Sequence, residues 1–237
     1  MKSKSLLPSF ILKPIKNSYF KLLQTRKIII HLLYSYGWAK SLRTDKCVDR
    51  NDNPIPWFSY PAIDFLSQLN IADKEVFEYG AGFSTLYWGA RAKSVFTVES
   101  DAKWSEKIES LLPANCRLMR ATLDVEDYSG KISAFDQFDI IIIDGAIKTR
   151  TSCSEKSLKH LKPGGIIILD NSDQFPTSAK ILRDSGLIQC DFTGFAPLNA
   201  NAQTTSVFFS RDYNFQPLNE IQPHRSVAQP FKAYAAG

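Results

Sequence analysis

The 237 residues, 44% of them hydrophobic and 22% charged, suffice for one well-cored domain with an extension and exclude two ordinary domains joined by a linker. The formal charge of +5 conceals an asymmetry: Met1 to Lys46 carries ten Lys/Arg against the single acid Asp45, for +9, and the rest of the chain sums to −4. A basic amino terminus on a mildly acidic body points to an anionic surface, lipid headgroups or nucleic acid, or else to a solvated helical extension.

In chain order, Ser5 to Tyr36 sets Leu, Ile and Phe at three- and four-residue spacings among lysines. That is the pattern of one or two short amphipathic helices, broken or started by Pro8 and Pro14. Its longest apolar patch, Ile28 to Tyr36, is interrupted by His31 and Ser35 and falls short of the roughly 20 residues of a spanning helix. Lys13, Lys16, Lys21 and Lys27 interrupt the apolar run that a secretory signal would need, so a cytoplasmic protein is expected, with residues 1–46 available to an anionic membrane surface. Residues 49–56 read as a loop and Tyr60 to Leu69 as a helix, and Trp57, Phe58, Tyr60 and Pro61 read as core packing or as an aromatic lid.

From Glu75 onward short apolar runs alternate with helical patterns. Strands are predicted at Val76–Tyr79, Ser94–Glu99, Cys116–Ala121, Phe138–Ile143, Gly165–Asp170, Leu187–Gly194 and Thr204–Ser210. Helices are predicted at Ser84–Ala90, Ala102–Leu112, Thr151–Leu161 and Thr177–Ser185. Ile140 to Ile143 is apolar at every position, as a central parallel strand covered on both faces requires. The last two strands are joined by a loop alone and form an expected antiparallel pair. Cys47, Cys116, Cys153 and Cys190 lack paired spacing and read as free, buried thiols. The tail from Asn214, with Pro217, Pro223 and Pro230, reads as a surface segment or a disordered one.

The run from Val76 to Thr85 passes from a strand through a glycine turn into a helix start. Gly80 and Gly82 let backbone approach a ligand, and the helix start, with Ser84 and Thr85, offers free N–H groups. Glu99 ends the next strand about 20 residues on, where an acid hydrogen-bonds ribose hydroxyls. A dinucleotide site would share that acid, but it would carry a third glycine where Ser84 and Thr85 stand. Glu78, two residues before the first glycine, suits a cationic ligand better than a diphosphate.

Glu78-x-Gly80-x-Gly82 with Glu99, then Phe138 to Gly145, then Leu161-Lys162-Pro163-Gly164-Gly165, resembles the class I S-adenosylmethionine (SAM) dependent methyltransferases over about Val76 to Ser210. The resemblance implies an α/β, Rossmann-like, doubly wound seven-stranded sheet of order 3-2-1-4-5-7-6 with the last strand antiparallel, preceded here by the helical basic extension. It implies SAM as cofactor, held by Glu78, Tyr79, Gly80, Ala81, Gly82, Ser84, Thr85, Glu99, Ser100, Asp124 and Asp144. Within that set Glu78, Gly80 and Gly82 would surround the methionine part, Glu99 the ribose and Asp124 the adenine amino group.

Asp144 ends the fourth strand and Asp170-Asn171 the fifth, so three oxygen-bearing side chains converge on one sheet edge. Hard oxygen ligands favour magnesium or calcium, and the set is similar to the metal site of catechol-type O-methyltransferases, which implies Mg2+ on Asp144, Asp170 and Asn171. A metal-held hydroxyl loses its proton more readily, which makes it the nucleophile of an O-methyl transfer. Those enzymes place a lysine base three residues after the first Asp, whereas here position 147 is Ile and Lys148 follows four after, so Asp144 and Lys148 form the implied catalytic pair with the spacing altered.

Asp170 to Asp173 also reads as a polar loop capping the next helix, and Lys148 and Arg150 as ligands of an acidic substrate group or as solvated charges. His160, on the helix before Pro163, is expected to be structural. The expected function is methyl transfer to a small-molecule or glycan-type acceptor by a domain spanning 47–213, between an extension at 1–46 and a tail at 214–237. The alternatives are a non-catalytic SAM-fold protein bound to a membrane or a partner, and a nucleic-acid methyltransferase. The second lacks the Asn/Asp-Pro-Pro-aromatic motif at Asp144-Gly145-Ala146-Ile147.

Overall fold

A computed structural model describes residues 9–220 and 222–228, with side chains from residue 18 onward. Seven strands form one sheet: β1 (Glu75–Tyr79), β2 (Ser94–Glu99), β3 (Cys116–Arg120), β4 (Phe138–Ile143), β5 (Leu161–Leu169), β6 (Ile188–Phe195) and β7 (Ala202–Phe209). Their order is β3-β2-β1-β4-β5-β7-β6, with β7 antiparallel to both its neighbours and β1 to β5 parallel, as the resemblance implied.

The all-apolar run of β4 has the predicted cause. Ile140 to Ile143 pair with Val76–Tyr79 on one side and Ile166–Leu169 on the other, and all four isoleucines are fully buried. The two-residue period of a strand divides the core between the sheet faces. Val76, Ile140, Ile142, Ile166 and Ile168 pack on one face with α3 (Tyr60–Leu66) and α4 (Phe83–Gly89), whereas Phe77, Tyr79, Ile141, Ile143, Ile167 and Leu169 face Tyr128, Cys153 and Leu182 on the other. Those three come from α6 (Val125–Gly130), α7 (Arg150–Ser157) and α8 (Pro176–Asp184), and α5 (Ala102–Glu109) follows β2.

Two expectations are corrected and one unexpected helix is added. The amino-terminal pattern forms one helix, α1 (Ser9–Ile30), which continues through Pro14 although a proline offers no N–H to the helix; Pro8 lies outside the described residues. A π turn at His31–Ser35 and a left-handed Gly37 (φ 82°) then lead into α2 (Trp38–Thr44). Helix α6 was not predicted, because six residues with two apolar positions give no periodic signal. Of the four free cysteines only Cys47 and Cys153 are buried, and Cys190 is exposed on the edge strand β6.

The described tail packs on the body rather than trailing from it. Leu69 bridges Pro217, Leu218 N–H donates to the Gln68 carbonyl at 2.7 Å, and Phe215 is buried. Among the described residues no helix is long and apolar enough to cross a membrane.

Candidate active site

The register sets Tyr79, Ile143 and Leu169 side by side, so the chain leaves β1, β4 and β5 at one edge of the sheet through Gly80, Asp144 and Asp170. Asp144 N–H donates to the Tyr79 carbonyl at 3.0 Å and Asp170 N–H to the Ile143 carbonyl at 3.2 Å, which locks the three strand ends together. Above them opens a cavity of about 640 Å³, within the usual range of small-molecule sites. Gly80 to Ser84, Glu99, Ser100 and Trp104 form one end, Asp144, Gly145, Ala146, Asp170 and Asn171 the floor, and Asp45 to Cys47, Trp57, Leu198, Asn199 and Gln203 the other end.

The two glycines of the turn serve different ends. Gly80 has φ +100°, and a Cβ there would sit 2.8 Å from the Gly145 Cα, so both conformation and space demand glycine. Gly82 is extended, with φ −174°, and a Cβ would meet nothing nearer than Ser84 Oγ at 3.7 Å. Its hydrogen therefore matters for the room it leaves in the cavity. Thr85 Oγ1 accepts from the Gly82 N–H at 3.0 Å and donates to Glu78 Oε2, which also accepts from Thr97 Oγ1 at 3.1 Å.

Glu78 is fully buried, outside the cavity lining, and its Oε1 lacks a partner. Burial pushes its pKa up to about 8, against the hydroxyl hydrogen bonds that favour the charged form. The expectation that its charge faces a cationic ligand is corrected: Glu78 is a strut beneath the glycine turn. Tyr79 is likewise core, its hydroxyl donating to the Ser129 carbonyl at 2.8 Å, because the strand alternation turns it away from the cavity. Thr85 acts through the turn and does not line the cavity.

Glu99 stands at the cavity wall. Its Oε2 accepts from the Ala81 N–H at 3.2 Å, and its Oε1 from the N–H groups of Ser100 and Asp101 at 2.6 and 2.9 Å. A carboxylate fixed in this way retains lone pairs for a diol, and it ties β2 to the glycine turn. Trp104, unassigned from sequence, donates its Nε1–H to the Ala81 carbonyl at 2.7 Å and presents an aromatic wall beside Glu99; its signal was an aromatic three residues after the helix cap Asp101. Asp124 is corrected. Its Oδ1 accepts from the N–H groups of Glu126 and Asp127 at 3.0 and 2.9 Å, so it caps α6 and lies outside the cavity.

The carboxylates on the floor already have partners. Arg150, the first residue of α7 and 5% exposed, pairs with Asp144 Oδ1 at 2.9 Å. The same guanidinium donates to the carbonyls of Asp170, Gly145 and Ile143 at 2.5, 3.1 and 3.4 Å and stacks over Phe175. Asp170 accepts from Thr205 Oγ1 and from Gln203 Nε2 at 3.1 Å, and burial, followed by the nearby Asp144 charge, holds its pKa well above the ordinary carboxylate range. Asn171 is in the left-handed region, φ 51°, where it opens the turn before α8.

Tested against this donor set, a divalent cation does not fit. A guanidinium supplies the positive charge that Asp144 needs, and the oxygens of Asp170 are engaged by Thr205 and Gln203. Among the described residues no three His, Cys, Asp or Glu side chains group as metal ligands. Arg150 is thus a buried clamp and not a ligand for an acidic substrate. Lys148 is exposed on the turn Ile147–Thr149 and outside the cavity lining, so the implied lysine base is not brought to the site. His160 is structural, its Nδ1 sharing a hydrogen bond with the Asp136 carbonyl at 2.6 Å.

The wall opposite Glu99 comes from distant segments. Trp57 is 45% exposed and lines the cavity, while Phe58 and Tyr60 pack in the core as one of the two expected readings has it. Trp38 Nε1 donates to the Asn199 carbonyl at 2.8 Å, Asn199 Nδ2 donates to Gln203, and Gln203 donates to the Trp57 carbonyl at 2.9 Å as well as to Asp170. Leu198, at φ 64°, stores backbone strain in the loop that carries Asn199.

The strand order, the reversed β7 and a cavity over the ends of β1, β2, β4 and β5 define the fold of the class I SAM-dependent methyltransferases. No family model and no curated protein matches the sequence. Solved structures match the fold. Precorrin-6y C5,15-methyltransferase from Geobacter metallireducens GS-15 superposes with a TM-score of 0.51 at 16% identity, over 63% of this chain and 87% of its own. An O-methyltransferase from Bacillus cereus, in complex with SAH, gives 0.50 at 19%, over 64% and 80%. Spermidine synthase from Thermotoga maritima gives 0.50 at 14%, over 70% and 61%.

Proposed function

We propose that the chain is an enzyme that transfers the methyl group of SAM to a hydroxyl of a small-molecule or glycan-type acceptor. The observation that carries this reading is the Glu99 carboxylate, fixed by backbone N–H groups on the wall of the cavity beside the open Gly82 turn. A carboxylate at that point suits a ribose diol, and the N–H groups and small residues of the turn suit the amino-acid end of the cofactor. When bound, SAM supplies an electrophilic methyl group on a sulfonium.

The chain's own residues do the rest. Glu99 and Ser100 hold the ribose, Trp104 bounds the nucleoside end, and Gly80 to Ser84 receive the methionine end. Trp57, Asn199 and Gln203 bound the acceptor. With both oxygens of Asp170 already held by Thr205 and Gln203, the acceptor's hydroxyl proton would pass to water as the methyl group moves to its oxygen, and the cofactor would leave as a neutral thioether. This reading uses no magnesium, because Arg150 already neutralises Asp144. The O-methyltransferase from Bacillus cereus supports a hydroxyl acceptor. Residues 47–213 form the catalytic domain, 214–237 a tail, and 1–46 a contact segment that keeps the chain in the cytoplasm at an anionic membrane surface.

Calorimetric titration with SAM and with its demethylated product tests the cofactor assignment. Glu99→Ala is expected to weaken binding by about 1–3 kcal/mol, the cost of losing hydrogen bonds to a charged group. Unchanged affinity in that variant, or no binding to the folded wild-type chain, refutes the reading.

A further inference from the structure

Helix α1 is 22 residues long, about 33 Å at 1.5 Å per residue. It contains Lys13, Lys16, Lys21, Arg26 and Lys27 and no acid. Tyr19, Leu22, Leu23, Ile29 and Ile30 recur at the three- and four-residue spacing of one helix face, where Arg26 is the only charge. Tyr19 is 63% exposed and Leu22 65%, with Phe20, Ile28 and Ile29 also exposed and Tyr34 continuing the apolar surface onto the π turn. Among the described residues α1 contacts little beyond its own continuation, the π turn that follows Ile30. A helix draws its stability mainly from burying such a face, so α1 presents a face made for an apolar partner.

Charge decides among the partners. A second copy of α1 would set five cations against five, with no acid to pair them. A nucleic acid would use the cations and leave Tyr19, Leu22 and Ile29 in water. An anionic lipid surface satisfies both sets: headgroups meet Lys and Arg, each worth about 1 kcal/mol near such a surface, and the acyl boundary takes the apolar face.

We infer that α1 lies flat in the interface of an anionic bilayer and, through α2, holds the acceptor wall of the cavity against that surface. The continuity is direct: α2 begins eight residues after Ile30, its Trp38 holds the Asn199 carbonyl, and Asp45 to Cys47, which follow α2, line the cavity. The inference rests on the reading above for where the chain works, but not on the transfer reaction.

Sedimentation of the full chain with phosphatidylcholine vesicles, with and without phosphatidylglycerol, tests it. Binding to the anionic vesicles is expected to be more than about tenfold tighter than to neutral ones and to fall as salt is raised. Leu22→Asp with Ile29→Asp, at exposed positions remote from the cavity, is expected to abolish vesicle binding while the unfolding midpoint and SAM affinity stay at wild-type values. Equal affinity for neutral and anionic vesicles overturns the inference, as does an absence of vesicle binding. A dimer dispersed by the double variant, without vesicle binding, assigns the face to a second copy. Binding to nucleic acid that survives the double variant, again without vesicle binding, assigns the charges to phosphate. Vesicle binding by a chain that does not bind SAM upholds the docking and sinks the methyltransferase reading, and SAM binding without vesicle binding does the reverse.

Discussion

Glu78→Gln offers a test of the glycine-turn architecture whose size and sign follow from burial. The carboxyl is fully buried, Thr85 and Thr97 donate to one oxygen, and the other oxygen has no partner. Desolvation raises its pKa to about 8 from the ordinary 4.5. A carboxyl that holds its proton more tightly in the folded state stabilises the fold fully below the unfolded pKa, and this contribution is lost as pH rises to the folded pKa. Each pH unit in that window costs about 1.4 kcal/mol, so at pH 7 the wild type has lost about 3 kcal/mol relative to acid conditions. Glutamine keeps an acceptor for the two threonines and does not titrate. The variant's stability relative to wild type is therefore expected to rise by about that amount between pH 4.5 and 7 and to level off above 8. Urea unfolding of both proteins across this range measures the difference, in which the titrations of all other groups largely cancel. A difference independent of pH would show that Glu78 is not held protonated, and the account of it as a buried strut would fail.

Other outcomes discriminate among the roles assigned at the strand ends. Gly80→Ala, at φ +100° and with a Cβ 2.8 Å from backbone, is expected to lose about 1–3 kcal/mol of stability in urea unfolding. Gly82→Ala is expected to unfold at the wild-type midpoint and to bind SAM more weakly in calorimetry, because its Cβ has free space that the ligand needs. Arg150→Met leaves Asp144 without its cation and is expected to cost about 3 kcal/mol, again read by urea unfolding. Adding magnesium or a strong chelator is expected to leave the unfolding midpoint unchanged; an upward shift with magnesium would show that the carboxylates hold the ion.

The sheet order came from the family resemblance, whereas the clustering of Gly80, Glu99, Asp144 and Asp170 was legible because it depends on where strands end, and apolar runs bounded by Gly, Asp and Asn mark those ends directly. What a side chain does at a strand end was less legible. Asp124 reads the same as a ligand or as a helix cap, and only the short helix α6, invisible to periodicity, decides between them. Glu78 and Tyr79 carry motif positions but point into the two cores, since a strand hides its side chains on both faces when helices cover both. Gln203, on β7, and Asn199, in the loop before it, reach the site because β7 pairs antiparallel with β5, a long-range contact that local pattern does not encode.

Arg150 was the least legible residue, and it changes the chemistry of the site most. Two carboxyl groups at the ends of adjacent parallel strands, Asp144 and Asp170, lie in a region where burial and mutual repulsion both oppose charge. Such a pair needs a cation, and from the strand ends alone a metal is the natural choice. The carbonyls of Ile143, Gly145 and Asp170 sit at the same place and need donors as well. A guanidinium meets both demands at once, since its planar fork of five N–H groups pairs with Asp144 and reaches all three carbonyls. The first residue of α7 is the point from which a side chain of that length spans the ends of both strands. Asp144 is committed to Arg150, both oxygens of the buried Asp170 are held by Thr205 and Gln203, and Lys148 is exposed outside the cavity lining. The proposed transfer therefore gives up its hydroxyl proton to water rather than to a lysine, a carboxylate or a metal-held oxygen.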